Sequence, residues 1–282
     1  MLHVGVVGAG LMGSGIVEVC ARAGLRVTFV EGSDRLAAAG RERIERSVGK
    51  AVERGKLDAT AADEALGRIE AATELAALAD VDLVIEAATE DRDAKAAIFG
   101  ELGRITRAEV VLGSNTSSIP IRELGAASGR PDRVVGMHFF NPPPVMALVE
   151  LTPSAATSEE TYELARTFTT EVLGKTCVRS SDEAGFIVNR LLVPYLFDAI
   201  RLLASGFASR EDIDTAMKLG LAHPMGPLTL SDLIGLDTLL SIGEVLRDAF
   251  PDDPRMEPPQ LLRDLVAKGR LGRKSGGGFY DA

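Results

Sequence analysis

Residues 2–13 read LHVGVVGAGLMG, an apolar, β-branched run that closes on Gly8, Gly10 and Gly13. A strand that ends in G-x-G-x-x-G and opens into a helix-like stretch, here Ala9 to Ala23, is the entry of a dinucleotide-binding βαβ unit. The three glycines act differently. Gly8 permits the tight turn, Gly10 lets a pyrophosphate approach the backbone, and Gly13 lets the helix lie close on the sheet. The amides at the helix start, those of Leu11 and Met12 among them, then face the phosphates. The next strand pattern, RVTFVE at 26–31, ends in Glu31, eighteen residues beyond Gly13. A carboxylate there accepts both ribose hydroxyls of NAD and repels a 2′-phosphate. Arg35 stands near enough to keep NADP as a less favoured alternative. FAD shares the fold signal but calls for a longer chain.

Outward from this entry, a charged helical region runs from Ser33 to Glu53, a turn falls at Gly55, and a helix restarts over Thr60 to Leu66. Strand patterns recur at 82–86, 110–113 and 133–137 with helices between them. This alternation predicts a parallel sheet covered on both faces, with right-handed crossovers. Thr157 to Glu171 reads as one more helix and Lys175 to Val178 as a last short strand. From Gly185 onward the β-branched alternation disappears, and 187–205, 209–219 and 229–249 read as helices. The expected fold class is α/β: a Rossmann-type dinucleotide-binding domain, 1–183, followed by an all-helical C-terminal domain, 184–282.

Composition removes several function classes. A chain of 282 residues suits two domains and can bury a core without staples. Lys plus Arg is 31 against 41 Asp plus Glu, a net charge of −10, so a nucleic-acid surface is not expected and an anionic ligand needs a local positive patch. Cys20 and Cys177 cannot build a four-ligand zinc site or a disulfide framework, so no metal is expected and the thiols read as core residues in a reducing compartment, the cytoplasm. No apolar run approaches a membrane span and no secretory leader is read at the start.

Cations crowd the region from Arg41 to Lys56. Arg46, Lys50 and Arg54 recur every four residues on related faces of a helix. They suit the phosphates of a large anionic substrate; equally they form a solvated face with Glu42, Glu45 and Glu53. Between 114 and 150 the chain becomes unusual. A hydroxyl cluster, Ser114 to Ser118, follows an apolar strand, where α/β domains bind ligands. His138 ends another strand, precedes Pro142, Pro143 and Pro144, and is followed by Glu150. A histidine so placed suits proton transfer near neutral pH, and a nearby acid would orient it. A packed, hydrogen-bonded strand-end histidine and a surface acid are the alternatives.

These residues carry a resemblance from end to end of the chain. GAGLMGSGI at 8–16, VIEAATED at 84–91, SNTSSIPI at 114–121, GMHFFNPPPVMALVE at 136–150, GFIVNR at 185–190, HPMGPLTLSDLIGLDT at 223–238 and LGRKSGGGFY at 271–280 resemble the 3-hydroxyacyl-CoA dehydrogenase family, most closely its short 3-hydroxybutyryl-CoA branch. The resemblance implies reversible hydride transfer between the C3 carbon of an (S)-3-hydroxyacyl-CoA and NAD, in fatty acid or butanoate metabolism. It implies that His138 is the catalytic histidine, Glu150 its partner acid, Ser117 the serine that holds the substrate oxygen, and Asn189 the asparagine that completes the site from the helical domain. It further implies that Glu90, Lys95 and Asn115, with Ser117 and His138, contact the cofactor near its nicotinamide, and that Lys50 and Arg54 meet coenzyme A. Arg54 stands where lysine is common, which keeps the charge but alters the geometry. Lys274 reads either as a contact to a ligand phosphate or as part of a basic tail. A homodimer through the helical domain is also implied. His3 and His223 read as structural.

Two other readings compete. The 3-hydroxyisobutyrate and 6-phosphogluconate dehydrogenases place a lysine four residues before the interdomain asparagine; Gly185 occupies that position here. A crystallin-like, non-catalytic dinucleotide binder would show damage at His138, Glu150, Ser117 or Asn189, and all four are intact.

Overall fold

Along β1 (His3–Val7), Val4 and Val6 enter one hydrophobic cluster and Val7 another, because successive side chains of a strand leave opposite faces. The computed structural model describes residues 2–281. The chain continues through α1 (Leu11–Arg22), β2 (Arg26–Val30), α2 (Asp34–Glu53), α3 (Ala59–Gly67), β3 (Ile69–Ala72), β4 (Leu83–Glu86), α4 (Arg92–Ile105) and β5 (Val111–Ser114). It then forms α5 (Ile121–Ser128), β6 (Val134–Phe139), β7 (Leu148–Pro153), α6 (Glu159–Thr167) and β8 (Thr176–Arg179). The sheet order is β3-β2-β1-β4-β5-β6-β7-β8. Every pairing is parallel except that of β6 with β7. The first six strands have the doubly wound order of a dinucleotide-binding sheet.

Both faces of this sheet are covered. Ile16 and Val17 of α1, Ile44 and Val48 of α2, Ala62 of α3 and Tyr162 of α6 share a cluster with Phe29, Ile85 and Met137 of the strands. Phe99 and Leu102 of α4 and Ile121 and Leu124 of α5 close the opposite face over Val84, Leu112 and Val134. Helix starts follow their capping residues: Ser33, Asp58, Asp91 and Ser158 each accept a backbone N–H of the first turn.

The segment after Glu183 forms a separate compact unit. Its helices are α7 (Val188–Ala204), α8 (Arg210–Gly220), α9 (Pro227–Ile234), α10 (Leu236–Ala249) and α11 (Gln260–Ala267). Val193, Leu196, Phe197 and Ile200 of α7 pack with Leu228, Leu239, Leu246 and Leu262 as its core. Asp214 of α8 accepts the amides of Leu228 and Thr229, supplying the start of α9 with a carboxylate from a neighbouring helix.

Several details correct the reading from sequence. The helix expected over 229–249 is two helices, starting at Pro227 and broken at Gly235, whose φ of 99° lies outside the helical region. The helix expected over Thr157 to Glu171 is α6 followed by a widened turn, Phe168–Val172. Strands β3 and β7 and helix α11 have no counterpart in the sequence reading. Gly235→Ala, which forces a side chain into that positive-φ backbone, is expected to destabilise the second unit by about 1–3 kcal/mol, seen as a lowered melting temperature.

Candidate active site

The carboxyl ends of β1, β4 and β5 lie in one row, since Val7 pairs with Glu86 and Glu86 with Ser114, and β6, which meets Ser114 at Gly136, runs on past that row to Phe139. Ligands of open parallel sheets bind at this edge. The glycine-rich turn sits there. Gly8 has φ 89°, and a Cβ on Gly13 would overlap the carbonyl oxygen of Gly8. A Cβ on Gly10 would meet nothing within 4 Å, so this glycine faces open space beside the start of α1. Glu31, just past β2, accepts the Ala9 amide at 2.6 Å. The carboxylate therefore stands against the turn, where it can meet a ribose. These features fit a dinucleotide: a glycine-rich turn open beside Gly10, helix amides, and an acid at the second strand.

His138 and Glu150 are directly opposed on the antiparallel β6–β7 pair. His138 Nδ1 lies 2.8 Å from Glu150 Oε2, with the histidine buried and the carboxylate wholly enclosed. The Phe140 ring stands 4.7 Å from the imidazole, centroid to centroid. After β6 the proline loop folds back. Pro143 packs on Gly15 of α1, and the Lys175 ammonium donates to the carbonyl oxygens of Pro143 at 2.8 Å and Met146 at 2.7 Å. Burial lowers the pKa of this lysine, as does the nearby charge of Arg22.

The hydroxyl cluster after β5 is organised by Glu90. One oxygen of Glu90 accepts Thr116 Oγ1 at 2.6 Å, the Ser117 amide at 2.9 Å and Ser118 Oγ at 2.9 Å, with Ser117 Oγ at 3.4 Å. Burial works against its charge, but Lys95 and these donors prevail and hold the carboxyl below its ordinary value. The Asn115 side-chain oxygen accepts the Phe139 amide at 2.9 Å, tying the cluster to the strand of His138. Lys95 is buried and spans both oxygens of Glu86, at 2.6 and 2.7 Å. Sequence reasoning passed over Glu86; its signal is an acid closing the apolar strand LVIE with a lysine nine residues on.

The other expected site residues lie elsewhere. Lys50 is exposed in the last turn of α2 and Arg54 is exposed as its C-cap, while Arg46 pairs with Glu42. Asn189 lies in the first turn of α7 and Lys274 bonds Asp237 at 2.7 Å, both within the second unit. The turn into α7 needs Gly185, at φ 81°, and carries Phe186 at φ 48°. His3 bonds Thr28 and His223 faces Tyr195.

Comparison with known proteins matches both units to one family. Residues 3–183 match the NAD binding domain of 3-hydroxyacyl-CoA dehydrogenase, and residues 185–282 match its C-terminal domain. A 3-hydroxybutyryl-CoA dehydrogenase of Mycobacterium tuberculosis is 52% identical over 279 residues, covering 99% of this chain and 97% of that protein. The human mitochondrial hydroxyacyl-coenzyme A dehydrogenase is 42% identical, covering 99% of this chain and 90% of its own. The solved structure of an (S)-3-hydroxybutyryl-CoA dehydrogenase from Ralstonia eutropha superposes with a TM-score of 0.93 at 45% identity, covering 99% of this chain and 98% of that one.

The two glycines separate folding from binding. Gly13→Ala is expected to destabilise the first unit by about 1–3 kcal/mol through its clash with Gly8. Gly10→Ala is expected to leave the melting temperature unchanged while weakening NADH binding, read by fluorescence titration.

Proposed function

Because this chain belongs to the 3-hydroxyacyl-CoA dehydrogenase family and has that family's reversible NAD-dependent hydride transfer between 3-hydroxyacyl-CoA and 3-oxoacyl-CoA, we propose that His138 exchanges the proton of the 3-hydroxyl while Ser117 and Asn189 hold its oxygen. The 2.8 Å contact between His138 and Glu150 carries this reading. A proton on Nδ1 donated to Glu150 fixes the tautomer that gives Nε2 the lone pair of a base. In oxidation Nε2 takes the hydroxyl proton, and in reduction the imidazolium returns it. The Glu150 charge balances the imidazolium when it forms. Ser117 and Asn189 supply donors to an oxygen that gathers negative charge on the way to the ketone's transition state. Bound NAD supplies the hydride acceptor for C3.

The finer assignments follow the same chemistry. Glu31 at the glycine turn favours NAD, since a 2′-phosphate would meet its charge. Gly8, Gly10, Leu11, Met12 and Gly13 receive the pyrophosphate. Glu90, Lys95 and Asn115 shape the nicotinamide side, Lys95 acting from beneath through Glu90. Lys50 and Arg54 present two exposed cations one helical turn apart to the phosphates of coenzyme A. Lys274 reaches a ligand phosphate only by exchanging its bond to Asp237. The preferred substrate is the four-carbon 3-hydroxybutyryl thioester, the substrate named for the Mycobacterium and Ralstonia relatives. Large exposed apolar side chains on the second unit, Leu191, Phe207 and Leu219, support a homodimer formed through that unit. The buried thiol of Cys20, pushed up to about 12 by burial, and the unpaired Cys177 fit the cytoplasm.

His138→Ala is expected to lower kcat for acetoacetyl-CoA reduction by about 100-fold or more without a matching change in NADH affinity. Turnover at the parent rate would remove the proton-transfer assignment. Glu31→Ser is expected to shift the ratio of kcat/KM for NADPH over NADH upward by about tenfold, a change of ~1.4 kcal/mol in transition-state binding.

A further inference from the structure

Glu86 has no exposed surface and no part in the assignments above, yet it lies at the centre of a hydrogen-bond network in the first unit. Its Oε1 accepts the Ala88 amide at 2.7 Å and Lys95 Nζ at 2.6 Å. Its Oε2 accepts Lys95 Nζ at 2.7 Å and Ser114 Oγ at 2.8 Å. A buried carboxylate is tolerated when its lone pairs are met by donors and its charge by a cation, and both conditions hold here. The pair does more than satisfy itself. Lys95 Nζ also stands 3.5 Å from Glu90 Oε2, and the other oxygen of Glu90 gathers Thr116, Ser117 and Ser118. A second path runs through Ser114, whose hydroxyl oxygen accepts the Thr116 amide at 3.3 Å. A third uses the main chain: the Glu86 carbonyl accepts the Asn115 amide at 2.7 Å, and the Asn115 side chain holds the Phe139 amide next to His138.

We propose that Glu86 is a positioning residue for the reaction, which through Lys95 and Glu90 fixes the Ser117 hydroxyl beside the strand of His138. The inference rests on the assignment of Ser117 to the substrate oxygen. Glu90 is partly exposed and its four donors all come from the 116–118 turn, so its own place depends on the buried ammonium behind it. Lys95 in turn is held against both oxygens of Glu86 at the end of a central strand. Order passes outward from the sheet: a rigid strand end, a buried cation, a half-exposed acid, a turn of hydroxyls. A hydroxyl displaced by about 1 Å from a reacting oxygen is enough to reduce turnover by about 100-fold.

The test is a mutant cycle read by kcat and KM for NADH-dependent reduction of acetoacetyl-CoA, with NADH affinity and thermal melting measured on each variant. Glu86→Gln leaves Lys95 short of counter-charge, so a second variant, Glu86→Asp, keeps the charge and withdraws the carboxylate by one methylene. Glu86→Asp is expected to melt in one cooperative transition, bind NADH as the parent does, keep its KM, and lose about 10-fold to 100-fold in kcat. Added to Ser117→Ala, it is expected to lower kcat by no more than about twofold further, because both changes spoil the same contact. A full additional loss in the Ser117→Ala background, a parallel loss of NADH affinity, an unchanged kcat, or failure of both Glu86 variants to fold would overturn the inference while leaving the Ser117 assignment standing. Parent turnover in Ser117→Ala alone would remove that assignment, and the route from Glu86 with it.

Discussion

The carbonyl oxygen of Gly8 occupies the space that a side chain on residue 13 would need. That contact sets α1 against the end of β1, and the rest of the first unit is ordered from it. The helix start, the turn and the Glu31 carboxylate meet at one edge because nothing larger than hydrogen separates helix from strand at that point. The parallel register then carries the same edge across the sheet, from Val7 to Glu86 and Ser114. Chemistry assigned to residues far apart in sequence therefore has a shared frame before any ligand arrives.

Two buried carboxylates give this frame its polarity. Glu86 is matched by a full positive charge and two further donors, and Glu150 by an imidazole on the adjacent strand. The two pairings differ in kind: the Lys95 ammonium spans both oxygens of Glu86 at 2.6 and 2.7 Å, while Nδ1 of His138 meets one oxygen of Glu150 at 2.8 Å.

Much of this was legible in the chain. The β1–turn–α1 entry could be read because glycine spacing has a narrow set of physical causes, and the acid following His138 and its proline loop left an orienting contact open, which the 2.8 Å bond to Glu150 supplies. Other parts were hidden for identifiable reasons. β3 is four residues with an exposed Glu70 and two alanines, and its extended form comes from pairing with β2. β7 lies within the motif that carries Glu150, and its extended form comes from pairing with β6 and β8. The break at Gly235 fell inside a run with helical spacing on both sides, so periodicity alone joined α9 to α10. Glu86 was illegible as a hub because its partners come from α4 and β5 and meet only once the sheet has formed. The charges on α2 admit two readings: Arg46 pairs with Glu42 as a solvated face would, and the exposure of Lys50 and Arg54 fits either.

The bonds from Lys175 to the carbonyl oxygens of Pro143 and Met146 grip the loop by its main chain. Val145 and Met146 turn their side chains outward, 75% and 40% exposed, and take no part in that grip. The segment following the histidine is thereby a bracket whose fastening is independent of what it displays. Sequence drift at its tip can recontour the surface next to the imidazole while the bracket, and the strand it extends, stay in place.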